Sequence, residues 1–553
     1  MLNIINKIYQ YLFASWWRPL LWIVIIGFLI YTPTLFCDYH YLDDNVLIKD
    51  NFYKIANLSY IPQAFLDGAF HDPHGAELYY RPLLTISFII DAQFGQDSLF
   101  FFHLTDILLH LLTACLIYLI LIKLKLSQKL AALFTLLFTV HPINLQAIAW
   151  LPGRNDPLMA IFIMAGFLFF LHWFESNKYK WYWWFLGFYA ISLFTKETAI
   201  VFPFLCLAFL FLVKREKLFT KKYWLIGIPY ILITIPWLFL RSAMIDSTMS
   251  ENYNIWQSLS ENAPAIIPYI GKIIFPFNLS VFPYLADMPM IYGLIAITGT
   301  IALLIYSKKT NWRYVLFGFA WFLLFLLPSF IRPLSSLADF SEHRVYTSLL
   351  GFILILWQIR IPIPKNINWK LTSTSISLFI IILFSAINIT HAKVYQDKIT
   401  FWSDAVVNSP SSSFNRNNLG AMYYLDGNYE KALRQWEKTL EINPSEPLTH
   451  NNIGLIYEKL GRYAAAEQAY FAELQINPYY DNVHFNLGLL YAKTGNNEQA
   501  AQYWHKTIEL NPNYFDAYLN LAHYYQLQNN QEMVDQLLEE FVLRGGTLPD
   551  SLK

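Results

Sequence analysis

Long apolar stretches, each broken by a short polar or basic run, follow one another along the chain to about residue 390. A helix needs roughly 20 apolar residues to cross a bilayer, fewer where neighbouring helices or local thinning help. On that measure the pattern predicts spans near 20–36, 100–122, 130–149, 158–173, 181–195, 198–213, 223–240, 290–306, 312–330, 345–359 and 372–389, about eleven in number. Two shorter stretches, Arg81 to Phe94 and Ala263 to Phe277, are amphipathic or interrupted by proline, and are assigned to a membrane interface, lying flat or re-entering. Basic loops set the orientation. Lys123, Lys125 and Lys129, then Lys178 and Lys180, Lys214 to Lys222, Lys308 to Arg313, and Arg360, Lys365 and Lys370 share one side with Lys7 and Arg18. By the positive-inside rule that side is cytoplasmic, and an odd number of spans carries everything after residue 390 to the outer face.

Beyond residue 390 the apolar runs give way to a period. Gly420, Gly454, Gly488 and Ala522 recur every 34 residues, as do Pro410, Pro444, Pro478 and Pro512. Trp402, Trp436, Tyr470 and Trp504 keep the same interval, as do Tyr423, Tyr457, Tyr491 and Tyr525, while Ala432, Ala466 and Ala500 mark close helix contacts. This is the tetratricopeptide pattern, a pair of antiparallel helices per repeat. Repeats are expected near 413–446, 447–480, 481–514 and 515–548, preceded by a half repeat, 391–408, that carries Trp402. The chain is therefore read as all-α: a polytopic membrane domain over residues 1–390 and a tetratricopeptide solenoid over 391–553.

Composition supports the membrane assignment, since 56% of the 553 residues are hydrophobic and only 14% are charged. Aromatic residues, at 18%, suit the anchoring of span ends in the interfaces. A formal net charge of zero offers nothing to a nucleic acid, and three cysteines make neither a disulfide framework nor a zinc site. The N-terminal apolar stretch lacks a small-residue cleavage site and is read as a retained span.

Charged residues gather where the topology puts span ends on the outer face. Asp43 and Asp44 follow the first span; Arg81, His141, Arg154 with Asp156, Lys196 with Glu197, and Glu342 with Arg344 head later segments. No phosphate-cradling loop, zinc-peptidase helix or nucleophile elbow is present. An acid loop with scattered cations fits an enzyme acting on a lipid phosphate: cations hold the donor phosphate, and a carboxylate takes the proton of an attacking hydroxyl.

These residues carry a resemblance. Leu42-Asp43-Asp44-Asn45, Tyr80-Arg81-Pro82-Leu83, Phe102-His103-Leu104 with Leu108-Leu109-His110, His141-Pro142, Gly153-Arg154-Asn155-Asp156, Lys196-Glu197-Thr198 and Glu342-His343-Arg344-Val345-Tyr346, in that order and followed by these repeats, resemble the transmembrane and tetratricopeptide repeat-containing O-mannosyltransferases, relatives of the protein O-mannosyltransferases in the GT-C class. The resemblance implies an inverting transferase that moves a sugar from a polyprenyl or dolichyl monophosphate to a protein hydroxyl, with the repeats recruiting the acceptor. It implies a catalytic base in the pair Asp43 and Asp44, with Asp44 preferred, and donor-phosphate contacts from Arg81, Arg154, Lys196 and Arg344, supported by His141, Asp156, Glu197 and Glu342. No metal and no cofactor beyond the donor is expected.

Other readings of the same residues stand beside this one. The acid pair also suits a solvated loop or a helix cap, Arg154 with Asp156 and Lys196 with Glu197 suit structural ion pairs, and His103, His110 and His141 suit hydrogen-bonded packing. The rivals at the level of function are a membrane-anchored scaffold and an oligosaccharide ligase or polymerase using a diphosphate carrier. A bacterial inner membrane with periplasmic repeats is favoured over a reticulum membrane with luminal ones, because the array is short.

Overall fold

A computed structural model describes residues 13–69, 79–217, 220–245, 254–331, 340–361, 369–544 and 546. Lys7 and Lys365, used above for orientation, lie outside the described residues, as does the end of the fourth repeat from residue 547. Helices build the whole described chain, and it divides into two units at Ser409 and Pro410. The helix Lys398–Asn408, which the period assigns to the repeats, falls in the first unit.

All eleven expected spans are helical, and they differ in length. Seven helical stretches are long and apolar enough to cross a membrane: Arg18–Phe36, Leu99–Lys123, Leu151–Ser176, Glu197–Lys214, Lys221–Met244, Trp312–Phe330 and Thr372–Tyr395. An eighth is a pair, Gln128–Thr139 and Pro142–Ala149, bent by 50°. Tyr179–Leu193, Met290–Tyr306 and Leu349–Leu356 are shorter, at 15, 17 and 8 residues. At 1.5 Å per residue the last reaches only about 12 Å, well short of a hydrocarbon core of roughly 30 Å. The apolar run around it continues in sequence, but its helix starts only after the turn Glu342–Val345. Hydropathy does not see such breaks, and among the described residues seven helices, or eight with the bent pair, are long and apolar enough to cross where eleven are expected.

Leu99–Lys123 and Asn155–Ser176 lie side by side in parallel. Lys123 at the end of one pairs with Glu175 at the end of the other (2.7 Å), while near their opposite ends the Arg154 Nη2 donates to the Phe102 carbonyl (2.6 Å). Two thirds of Leu151–Ser176 is buried, at 67%, against 17% for Lys221–Met244 and Thr372–Tyr395. The first is therefore central and the other two are peripheral, turning Ile231, Leu232, Phe239, Phe379 and Ile382 outwards as lipid-facing helices do. Around Phe167 the core is aromatic, with Phe170, Phe209, Phe317 and Trp321 packed edge to face or stacked. Two crossings are closed by glycine, Gly271 against Gly293 and Gly318 against Gly351.

In the second unit four helix pairs follow the period, Ser413–Leu425 with Tyr429–Ile442, Thr449–Lys459 with Tyr463–Ile476, Asp481–Lys493 with Asn497–Leu510, and Phe515–Leu527 with Gln531–Leu543. A Cβ on Gly420, Gly454 or Gly488 would fall within 2.4–2.6 Å of the ring of Trp436, Tyr470 or Trp504, so the periodic glycine and the periodic ring are one contact. The turn inside each pair needs a left-handed residue, supplied by Gly427, Gly461 and Gly495 and, in the last repeat, by Asn529 (φ 57°).

Close packing makes the glycines unequal. A Cβ at Gly293 would lie 2.0 Å from the Ile267 carbonyl oxygen, and one at Gly351 2.5 Å from the Gly318 carbonyl, whereas nothing lies within 4 Å at Gly187 or Gly227. Gly293→Ala and Gly351→Ala are expected to destabilise the protein by about 1–3 kcal/mol through overpacking. Gly187→Ala and Gly227→Ala, in helix interiors, should be neutral or stabilising by up to about 1 kcal/mol. Thermal unfolding of the detergent-solubilised variants checks both.

Candidate active site at the helix heads

The loop Cys37–Asp44 leaves the first helix and holds two non-glycine residues in left-handed backbone, Tyr41 (φ 57°) and Asp43 (φ 67°). Each such residue costs roughly 1–2 kcal/mol, so the surroundings must impose the shape. They do so through Asp44. Its carboxylate is fully buried and accepts from the backbone N–H groups of His40 (2.6 Å), Leu42 (3.1 Å) and Asn45 (2.9 Å), with the His40 Nδ1 at 3.1 Å. A single π-turn, Asn45–Lys49, follows, closed by the Asp50 N–H on the Asn45 carbonyl (2.8 Å). This geometry sets Asp44 apart as the acid that ties the loop. Both of its oxygens are committed to tying the loop, and the half-buried neighbour Asp43 is the acid that the loop presents.

Asp43 acts electrostatically on Tyr79, as do Arg81, Glu197 and Arg344 from three other segments. The Arg81 guanidinium lies 4.2 Å from the centre of the Tyr79 ring and holds Glu197 through two bonds, Nε to Oε2 (3.1 Å) and Nη2 to Oε1 (2.7 Å). Burial pushes the Tyr79 hydroxyl above its usual range, with Arg81 and Arg344 opposing and Glu197 and Asp43 adding to the rise. Burial also works against the charge of Arg81, but Glu197 outweighs it and keeps the guanidinium firmly protonated. Beside this pair Lys196 donates to both oxygens of Asp156 (2.8 Å each), and burial holds its ammonium below the usual lysine value. The His343 Nε2 stands 3.9 Å from Asp156, and half-buried Arg344 follows it in the chain. Asp43, Arg81, Lys196, Glu197, Asp156 and Arg344 thus form one cluster.

Besides Asp44, three of the expected site residues lie apart from it. Arg154 is wholly buried; its Nε donates to Asp106, Nη1 to Asp91 (2.5 Å) and to Ser87 Oγ (3.2 Å), and Nη2 to the Phe102 carbonyl, while its plane covers the Phe88 ring at 4.5 Å. A guanidinium so satisfied joins these segments as a structural node. Glu342 accepts from Lys272 (2.6 Å) and the Ser280 N–H (2.8 Å), both buried. The His141 Nε2 donates to the Ile273 carbonyl (2.8 Å) while its Nδ1 accepts from the Ile143 N–H (3.2 Å), fixing the bend between Gln128–Thr139 and Pro142–Ala149.

Sequence reasoning missed Tyr79, Lys272, His40 and Trp150. Lys272 did carry a signal, since a lone lysine in the apolar run Ile270-Gly271-Lys272-Ile273 requires a buried acid. Trp150 donates from Nε1 to the Leu42 carbonyl (2.9 Å) and packs against His343 at 5.3 Å, which places the acid loop against the Glu342–Arg344 turn.

These features define a multi-pass membrane protein with tetratricopeptide repeats. Residues 84–239 match the family described as dolichyl-phosphate-mannose-protein mannosyltransferase, and residues 420–461, 449–478, 482–514 and 504–536 match tetratricopeptide repeat families. Protein O-mannosyl-transferase TMTC3 of Homo sapiens is 30% identical over 140 residues, 25% of this chain and 15% of its own. Protein O-mannosyl-transferase tmtc2 of Xenopus laevis is 30% identical over 163 residues, 29% of this chain and 19% of its own. Protein O-mannosyl-transferase F38B6.6 of Caenorhabditis elegans is 29% identical over 98 residues, 16% and 13%. The matched stretches span less than a fifth of the length of these relatives. The membrane part of the chain is thus similar over residues 84–239 to the mannosyltransferase family and is followed by tetratricopeptide repeats, and the chain is similar, at modest identity, to the TMTC protein O-mannosyl-transferases.

The role of Arg154 is open to direct test. Arg154→Ala leaves Asp91 and Asp106 buried without their cation, and breaking a buried pair in this way costs about 3–5 kcal/mol. Loss of folded, inserted protein is expected, measured by size exclusion in detergent. A folded Arg154→Ala protein with weakened donor binding alone would return Arg154 to the phosphate site.

Proposed function

We propose that this chain transfers a sugar, with inversion, from a polyprenyl or dolichyl monophosphate to a protein hydroxyl, and that the repeats recruit the acceptor. The observation that carries this reading is the meeting of an acid held in strained backbone, Asp43, with Arg81, Glu197 and Arg344 around Tyr79. Asp43 accepts the hydroxyl proton as the acceptor oxygen forms its bond to the anomeric carbon. The bond from that carbon to the phosphate oxygen breaks, and the electron pair leaves with the phosphate. Arg344 and Arg81 hold the growing phosphate charge, Arg81 through the guanidinium edge turned away from Glu197, and Lys196 with Asp156 backs them. Preorganised cations of this kind stabilise the charge where it develops, so the proposal includes no metal or further cofactor. It places the reaction at the outer surface of a bacterial inner membrane, or at the luminal surface of a reticulum membrane in a eukaryote. Recruitment of acceptor protein is supported by the repeat architecture, which builds extended binding surfaces.

Purified protein given a polyprenyl-phosphate sugar and a hydroxyl-bearing peptide tests this directly. Asp43→Asn keeps the volume of the side chain but accepts no proton, and should lower transfer by about a hundred- to ten-thousandfold with donor binding intact. Asp44→Asn loses acceptors for buried N–H groups and should show its effect first as lower stability, by about 1–3 kcal/mol. Near wild-type transfer by Asp43→Asn would remove the base from this site, and transfer of a whole glycan in place of one sugar would favour a diphosphate-carrier ligase.

A further inference from the structure

The acid loop is held by a part of the chain that sequence periodicity assigns to the repeats. Trp402, fully buried on the helix Lys398–Asn408, donates from Nε1 to the His40 carbonyl (2.9 Å). The His40 ring, also fully buried, lies between the Asp44 carboxylate, 3.1 Å from Nδ1, and the Tyr395 carbonyl, 2.8 Å from Nε2, and packs on Phe401 at 4.7 Å. The Asp38 N–H donates to the Gln396 carbonyl (3.1 Å). From the other side Trp150 holds the Leu42 carbonyl. The two left-handed residues, Tyr41 and Asp43, therefore sit in a segment that residues 395–402 hold at Asp38 and His40 and that Trp150 holds at Leu42.

We infer that His40 and Trp402 are positioning residues for Asp43, and that the helix Lys398–Asn408 is a structural part of the catalytic centre. The inference rests on the reading of Asp43 as the base. A left-handed aspartate relaxes to ordinary backbone when its supports are withdrawn, and its carboxylate then swings away from Tyr79 and Arg81. Misplacing a catalytic group by an ångström costs rate without costing donor affinity. The helix that opens the repeat region thus completes the chemistry.

Trp402→Phe removes the indole N–H together with part of the fully buried ring that packs on Phe282 and Phe401, so the hydrogen bond to the His40 carbonyl is lost and a small void is left. In the peptide-transfer assay with a polyprenyl-phosphate sugar, at a temperature well below its lowered unfolding temperature, it should lower kcat by about ten- to a hundredfold, with KM for the donor within about twofold. In an Asp43→Asn background the same substitution should cause no further loss, because it acts through Asp43. A second pair keeps the question open to test if Trp402→Phe does not fold. The amide nitrogen of His40→Asn takes the place of Nδ1 and still reaches Asp44, whereas that of His40→Gln takes the place of Nε2 and reaches only Tyr395, so the asparagine variant should retain more transfer. Full kcat in Trp402→Phe and His40→Gln, or a loss by Trp402→Phe that repeats undiminished in the Asp43→Asn background, overturns the positioning role while leaving the base intact. Wild-type transfer by Asp43→Asn itself overturns both.

Discussion

Charge in the membrane unit is governed by the cost of removing an ion from water, several kcal/mol per group even after relaxation. Every interior cation described here meets that cost with a carboxylate: Arg154 with Asp91 and Asp106, Lys272 with Glu342, Lys196 with Asp156, Arg81 with Glu197. What differs is completeness. Arg154 and Glu342 are closed on all sides and join helices that are distant in sequence. At the edge of the same network Glu197 keeps a third of its side chain exposed, and Asp43 and Arg344 are half-buried. The site is the place where the pairing network reaches the surface, and its chemistry belongs to the groups that the network leaves accessible.

This explains which parts were legible in the sequence. The solenoid was readable because its defining contacts recur at a fixed interval: Gly420 meets Trp436 and Gly454 meets Tyr470 within a single repeat, so the interval writes the contact into the chain. The positions of the spans were readable from hydropathy, but not their lengths, since turns such as Glu342–Val345 break a helix without breaking an apolar run. The site was readable as a set of charged span heads, because such residues need a reason to be there. The division of labour within the set was not. Arg154 looks like Arg81 in sequence, and only the approach of Asp106 and Asp91, 48 and 63 residues away, makes it structural. Asp43 and Asp44 are adjacent and identical, and the difference between them lies in three backbone N–H groups that converge on one of them.

The boundary between the units has the same origin. A 34-residue period extends back to Trp402, and by pattern alone the helix that carries it is half a repeat. Its tryptophan nevertheless faces the acid loop, with Asp404 on the same helix accepting from the Val281 N–H (3.3 Å) and pushed up to about 6 by burial. The tryptophan that the period would place in a repeat core is packed in the first unit, which ends at Ser409.

The cluster also balances charge through the proposed reaction. Three cations, Arg81, Lys196 and Arg344, stand with three carboxylates, Asp43, Asp156 and Glu197. A sugar phosphodiester of a polyprenol brings one negative charge into this neutral set. As the bond to phosphate breaks, the phosphate gains a second negative charge, and at the same time Asp43 takes the acceptor proton and loses its own. The total stays the same from substrate to product, so no net charge has to be created in a medium where Coulomb energies are large. A base drawn from outside the cluster would leave the departing dianion facing an unchanged set of three acids. Asp43, inside it, withdraws one of those acids at the moment when the phosphate needs the cations most.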